Sequence, residues 1–245
     1  MISAEAFLQA ALDAVEQVRE TQWTQIHEAA KRLADVIAAG GVVHAFGTGH
    51  SKAFAMELCN RAGGLVPMHM MSIDDLWARG ERVDDMNDPS IERDPDVAHR
   101  LLELYDIRPE DGVIIVSNSG RNGALVEMAL QMKARGHTVI CVTSLSHSTQ
   151  VSSRHASGQR LFEVADVVID NCGPLGDALL ESSALPAKVC SISSVTGAII
   201  AQCLTAEITR NLMEMNVDVP VLMSANLDGA DEFNETMTAR YKGRI

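Results

Sequence analysis

Short apolar runs bounded by glycine or charge recur along this 245-residue chain, and segments of helical composition separate them. GVVHAFG (41–47), DGVIIVS (111–117), TVICVTS (138–144) and VADVVIDN (164–171) are short, β-branched and without polar alternation. That pattern predicts strands buried on both faces. LVPMHMM (65–71) is a fifth candidate despite Pro67. Between them, helix is predicted over 3–39, with a break near Thr21–Trp23 and a stop at Gly40-Gly41. Further helices are predicted over 51–62, about 95–105, 121–135, about 186–214 and 228–240. Strands alternating with helices need crossover connections and hence parallel pairing, so the expected architecture is a three-layer α/β/α domain. No linker or shift in composition divides the chain. One domain is expected over 1–245, with helical extensions at 1–40 and 172–245 around a sheet core at 41–171.

Charge narrows the range of partners. The chain has 20 Lys+Arg against 33 Asp+Glu, a net −13, which argues against nucleic acid and anionic membranes. A small anion is not excluded, because helix-start amides create a local positive field. The five cysteines form no CxxC and are odd in number, so reduced thiols in a cytoplasmic protein are expected, with no zinc site. The N-terminus has Glu5 and Asp13 where a signal peptide needs a basic start. Val189–Ala206 is uncharged for 18 residues but contains polar side chains such as Ser193, Thr196 and Gln202, which predicts a buried or interface helix.

Two strand exits carry the chemistry. In parallel sheets, ligands bind beyond the carboxyl ends of the strands. The first exit is Gly47-Thr48-Gly49-His50-Ser51, a tight turn into a helix start, where free amides can bind phosphate. A dinucleotide fingerprint would need glycine at position 52, which is Lys52, so no nucleotide cofactor is expected. The second exit is Ser117-Asn118-Ser119-Gly120-Arg121-Asn122. One short polar residue is enough to cap a helix. Three around one glycine turn point to anion binding.

Together, a GxGxS turn after the first strand and an S-x-S-G-x-[T/N] turn after the third resemble the two phosphate-binding loops of the SIS (sugar isomerase) domain. The resemblance runs from about Gly41 to Asn171 and implies a five-stranded parallel sheet in flavodoxin-like order. It also implies a bound phosphosugar and a homodimer or higher homo-oligomer with sites near the interface. By that pattern Ser51, Ser117, Ser119 and Asn122 hold the phosphate, with Asn122 where the family commonly has Thr, and amides from Thr48 to Lys52 add to them. Over its whole length the chain is similar to stand-alone bacterial SIS proteins, in VSNSGRN (116–122), SSRHASGQRLFEVADVVIDNCGPLGDA (152–178) and MSANLDGADEFN (223–234).

Aldose–ketose isomerisation needs a base between adjacent carbons and a donor for the enediolate oxygen. The candidates are His50, inside the first loop; Glu57, on the following helix; His155, after Ser153-Arg154; and Glu207, late in the uncharged helix. Arg154 and Arg160 are candidate contacts to phosphate or to a neighbouring subunit. Glu181 and Lys188 stand at the entrance of the late helix. The acidic stretch 72–96 reads as solvated loop with at most short helix, and its Asp spacing is not that of a calcium loop. The expected function is phosphosugar isomerisation. The alternatives are a phosphosugar etherase or deaminase, or a non-catalytic sensor acting on a protein partner.

Overall fold

The computed structural model describes residues 2–79 and 90–245. Asp84, Asp85, Asp88 and Pro89 of the acidic stretch lie outside the described residues. The chain begins with α1 (Ala4–Thr21), whose first turn is closed by the Ser3 hydroxyl accepting from the Ala6 amide at 3.1 Å. α2 (Trp23–Ala38) follows at once. The break between them is Gln22, whose side-chain oxygen accepts from the Asp170 amide at 2.9 Å and so ties the helical start of the chain to the sheet.

Five parallel strands follow in the order β2-β1-β3-β4-β5: β1 (Val43–Gly47), β2 (Met68–Met71), β3 (Gly112–Val116), β4 (Thr138–Thr143) and β5 (Val167–Asp170). This is the expected three-layer α/β/α arrangement. Alternate side chains enter opposite layers, because successive strand residues point to opposite faces. Val43, Ala45, Ile114, Val116, Ile140 and Val142 meet α2, α3 (Lys52–Leu58) and α9 (Ser193–Glu214). Phe46, Val113, Ile115, Val139 and Cys141 meet the other layer: α4 (Asp74–Ala78), α5 (Asp96–Leu104), α6 (Gly123–Ala134) and α8 (Leu161–Val164). Both sets are fully buried, as the unbroken apolar runs predicted. Each such large side chain contributes about 1.5–3 kcal/mol.

Several boundaries differ from the sequence reading. α3 ends at Leu58 rather than 62, because Asn60 (φ 51) and Gly63 (φ 75) turn the chain into the left-handed region. The polar stretch before β5 contains the short helix α7 (Leu145–Ser148). The long helix predicted from 186 starts at Ser193. The preceding segment is an antiparallel hairpin of β6 (Ala178–Leu180) and β7 (Val189–Ser191). Cys190 at φ 67 breaks helical geometry there, and the Asp177 carboxylate accepts from the Ser193 amide at 2.8 Å and the Ser193 hydroxyl at 2.7 Å, which sets the helix start. Glu181 and Lys188 are therefore an exposed ion pair (3.3 Å) across the hairpin, not a helix entrance. The last helix, α10, spans Ala230–Thr238. No helix among the described residues is long and apolar enough to cross a membrane.

Candidate functional site

Both motif loops leave the carboxyl edge of the sheet from adjacent strands, β1 and β3. In the first, the chain folds back so tightly that a Cβ on Gly47 would lie 2.7 Å from the Ser51 carbonyl oxygen. Only glycine fits there. Gly49 adopts φ +52, and residues Gly49–Ser51 form one 3-10 turn, in which the Ser51 amide donates to the Thr48 carbonyl at 3.0 Å. His50 is exposed and Ser51 half-buried, and neither side chain has a partner among the described residues. Lys52 is drawn aside by an ion pair with Asp74.

The second loop is closed internally. The Ser117 hydroxyl accepts from the Gly120 amide at 3.1 Å, with Gly120 at φ +59. Around it, Thr143 Oγ1 donates to the Ser117 carbonyl at 2.7 Å, the Leu161 amide donates to the Gly120 carbonyl at 2.8 Å, and Asn171 Nδ2 donates to Asn118 Oδ1 at 2.9 Å. Ser117 and Asn118 therefore spend side-chain capacity on holding the turn, whereas the Ser119 hydroxyl is half-buried and has no partner among the described residues. Asn122 stands at the N-cap of α6, yet its side chain makes no capping bond. It points instead to two partners: Nδ2 donates to Glu92 Oε1 at 2.6 Å, and Oδ1 accepts from Arg154 Nη1 at 2.8 Å.

Glu92 joins the two loops. Its other oxygen accepts from the Thr48 hydroxyl, so one carboxylate bridges Thr48 of the first loop and Asn122 of the second. The 3-10 turn Ile91–Arg93 carries it, crossing the start of α6 so closely that a Cβ on Gly123 would lie 2.2 Å from the Arg93 carbonyl oxygen. The sequence reading of 72–96 as solvated loop missed this residue. A narrow cleft of about 20 Å³ also joins the loops, lined by His50, Ser51, Phe54, Asn118, Asn171 and Ser193. Asn171, Ser193 and Ser194 are further lining residues that the motifs did not reveal. No trio of His, Cys, Asp or Glu among the described residues could hold a metal ion.

The four candidate bases are scattered. His50 lies on the cleft. Glu57 is ion-paired to Arg61 and accepts from Gln202 Nε2 at 2.8 Å; it lines a separate groove of about 550 Å³ with Val195, Ile199 and Cys203. Glu207 pairs with Arg210 (2.6 Å) and faces His27 (3.5 Å), 14 residues, or about 21 Å, along the helix from Ser193. The structure does not bring it to the cleft. His155 is held between Glu127 Oε2 (2.7 Å) and the Ser157 hydroxyl (2.8 Å), beside the Arg154 that contacts Asn122. Desolvation opposes ionisation of Glu127, but hydrogen bonds from Gln131 and His155, together with nearby His99, hold its carboxyl below the usual range. Arg160 is committed to Glu163 at 2.9 Å and to the carbonyls of Ser148 and Thr149 at 3.2 Å each.

The SIS-domain family profile matches residues 6–144. The chain is a SIS-domain protein. A UPF0309 protein of Listeria monocytogenes is 37% identical to it over 239 residues, covering 98% of this chain and 97% of that one. A UPF0309 protein of Caldanaerobacter subterraneus is 38% identical over 234 residues, covering 94% of each chain. Among solved structures, this SIS chain is similar in fold to the phosphoheptose isomerase of Neisseria gonorrhoeae, with TM-score 0.57 and 16% identity over 84% of this chain and 96% of that one. The Vibrio vulnificus NanR protein complexed with ManNAc-6P gives TM-score 0.51 and 15% identity, covering 86% of this chain and 64% of that one. At these identities the likeness is one of fold.

Proposed function

We propose that this chain binds a phosphorylated sugar or amino sugar across its two loops and interconverts its aldose and ketose forms. The observation that carries the reading is the pair of adjacent strand exits whose Ser51 and Ser119 hydroxyls have no partner among the described residues, in a fold otherwise dense with hydrogen bonds. Hydroxyls and turn amides, including those of Gly47, Thr48 and Gly49, can hold a phosphate dianion without lysine. Ser117, Asn118 and Gly120 would shape the turn, and Asn122 would take a phosphate oxygen. Structures similar in fold are described as a phosphoheptose isomerase and as a protein complexed with ManNAc-6P, in keeping with this ligand class.

For proton transfer the groups beside the loops are His50 and Glu92, the latter held by a residue from each loop. We assign the base to Glu92 and carbonyl polarisation to His50; Glu57, His155 and Glu207 each already have an ionic partner. We also propose that a second copy covers the exposed face of α3 and α9, where Met56, Val195 and Ile199 are exposed next to the cleft-lining first turn of α9. We further propose a cytoplasmic location, a reading that the free cysteines support; burial pushes the Cys59 thiol up to about 12.

A coupled spectrophotometric screen of aldose and ketose phosphates tests the activity. Turnover of at least one pair, reduced about 100-fold or more in kcat by Glu92→Gln, is expected for loss of a general base. Binding of several phosphosugars with turnover of none would defeat the isomerase reading.

A further inference from the structure

Three arginines flank Asn122: Arg121 precedes it in the chain, Arg154 bonds its side chain, and Arg93 follows Glu92, whose carboxylate accepts from the same Asn122 side chain. Arg154 donates from Nη1 to the Asn122 side chain at 2.8 Å, and its backbone amide donates to the Arg121 carbonyl at 2.8 Å. The Arg93 carbonyl is packed against Gly123, the next residue of the same helix start. Partial desolvation and the charges of Arg121 and Arg93 lower the pKa of Arg154, with Glu92 opposing.

None of the three forms an ion pair with a carboxylate among the described residues. Elsewhere on the surface, Arg19, Arg32, Arg160, Arg210 and Arg240 each have such a partner. Arg121 Nη2 reaches only the Ser152 hydroxyl at 3.3 Å, and its Nε is buried with no hydrogen-bond partner. The neighbouring His147 has the same defect at Nδ1; burial lowers its pKa, Asp177 opposes, and Arg121 lowers it further. The acidic groups facing the cluster are thus Glu92, bound to both loops, and Asp177, committed to Ser193.

A buried N–H without an acceptor costs free energy, and gathered like charges cost more. Arg79 and Arg135 also form no ion pair among the described residues, but of these arginines only the cluster adds a buried guanidinium N–H without an acceptor, at Arg121 Nε. Guanidinium groups match carboxylate and phosphate oxygens through paired N–H donors. We propose that Arg93, Arg121 and Arg154 form a second anion subsite, so that the preferred ligand is a sugar phosphate bearing a further acidic group, either a carboxylate or a second phosphate. This rests on the phosphosugar reading above. Asn122 belongs to one anion site and contacts an arginine of the other, so a single small ligand can reach both.

Calorimetric titration with glucose 6-phosphate, 6-phosphogluconate and fructose 1,6-bisphosphate at constant ionic strength tests the proposal. At least one of the two doubly acidic ligands is expected to bind tenfold or more tightly than glucose 6-phosphate, and which one does so identifies the second group. In the Arg93→Gln/Arg121→Gln double variant that ratio should fall to within about threefold of unity. The wild-type salt dependence provides an independent reading: affinity for the preferred ligand should fall more steeply with added NaCl than affinity for glucose 6-phosphate. Equal affinities and equal salt slopes for all three would overturn the second subsite and leave phosphosugar binding standing. No binding of any of the three to the wild-type protein would overturn both.

Discussion

The two edges of the sheet carry polar clusters of opposite character. At the amino edge, Asp111 precedes β3 and is 2% exposed. It accepts from the amides of Val42 (2.7 Å) and Arg108 (2.7 Å), from His44 Nε2 (3.2 Å) and from Arg244 Nη2 through both oxygens (2.7 Å each). The chain of contacts continues from His44 to His69 (3.1 Å), whose ring meets Tyr105 edge-on at 4.9 Å, and Tyr105 donates to Asp75 at 2.5 Å. At the carboxyl edge, Ser51, Ser119 and Arg121 Nε have no such partners. The Asp111 carboxylate is saturated, although Arg244 Nε beside it is buried without a hydrogen-bond partner; the carboxyl edge keeps two serine hydroxyls without partners among the described residues. Partnering of the hydroxyls and carboxylates, more than their polarity or burial, sets the two clusters apart.

The sharpest way to break this contrast is Asp111→Ala. It leaves Arg244 and His44 without their shared acceptor and should cost about 3 kcal/mol or more of stability in urea denaturation, because removing one partner strands the other charge. Gly123→Ala comes next. A Cβ there meets the Arg93 carbonyl at 2.2 Å, so the Ile91–Arg93 turn must move; about 2 kcal/mol should be lost, with phosphosugar affinity falling alongside. An unchanged affinity would separate the Glu92 bridge from binding.

The amino edge also predicts a pH limb. Burial and the neighbouring His44 lower the His69 pKa to about 4, with Asp75 and Asp111 opposing. The unfolded chain therefore binds more protons than the folded one between about pH 6.5 and 4, and stability must fall as pH falls through that window. A loss on the order of 1 kcal/mol between pH 7 and 5 is expected, and His69→Gln should flatten it. At lower pH Asp111 adds to the loss: desolvation works against its charge, but bonds from His44, Arg108, Val42 and Arg244 prevail and hold its pKa below the ordinary value. Ser119→Ala sits at the small end. It should leave the melting temperature within about 1 °C of the wild-type value while weakening phosphosugar binding about tenfold, the scale of one hydrogen bond to a charged group.

What the sequence made legible follows the range of the interactions. β3 and β4 were readable because an unbroken apolar run reports two-sided burial without knowledge of its neighbours. The loops were readable because Gly47 and Gly120 answer to local backbone demands. Glu92 was not, since nothing in SIERDP announces that its carboxylate meets residues 44 and 30 positions away. The β6–β7 hairpin was hidden by the uncharged stretch that continues from it into α9, and the start of that helix is set by Asp177, 16 residues upstream. The meeting of Arg154 with Asn122, and of the Glu92-Arg93 turn with the start of α6, is likewise a product of tertiary structure, invisible to net charge.

Arg244 reaches back 133 positions to Asp111. On a ribosome, where chains fold from their first residues onward, β1 and β3 are made long before the cation that neutralises the carboxylate between them. The sheet can assemble early, but its amino edge lacks the guanidinium partner of Asp111 until Arg244 has emerged. Folding of this protein is therefore locked by a residue made well after the strands it joins, and an arrested nascent chain ending before Arg244 should remain more open to protease than one that includes it.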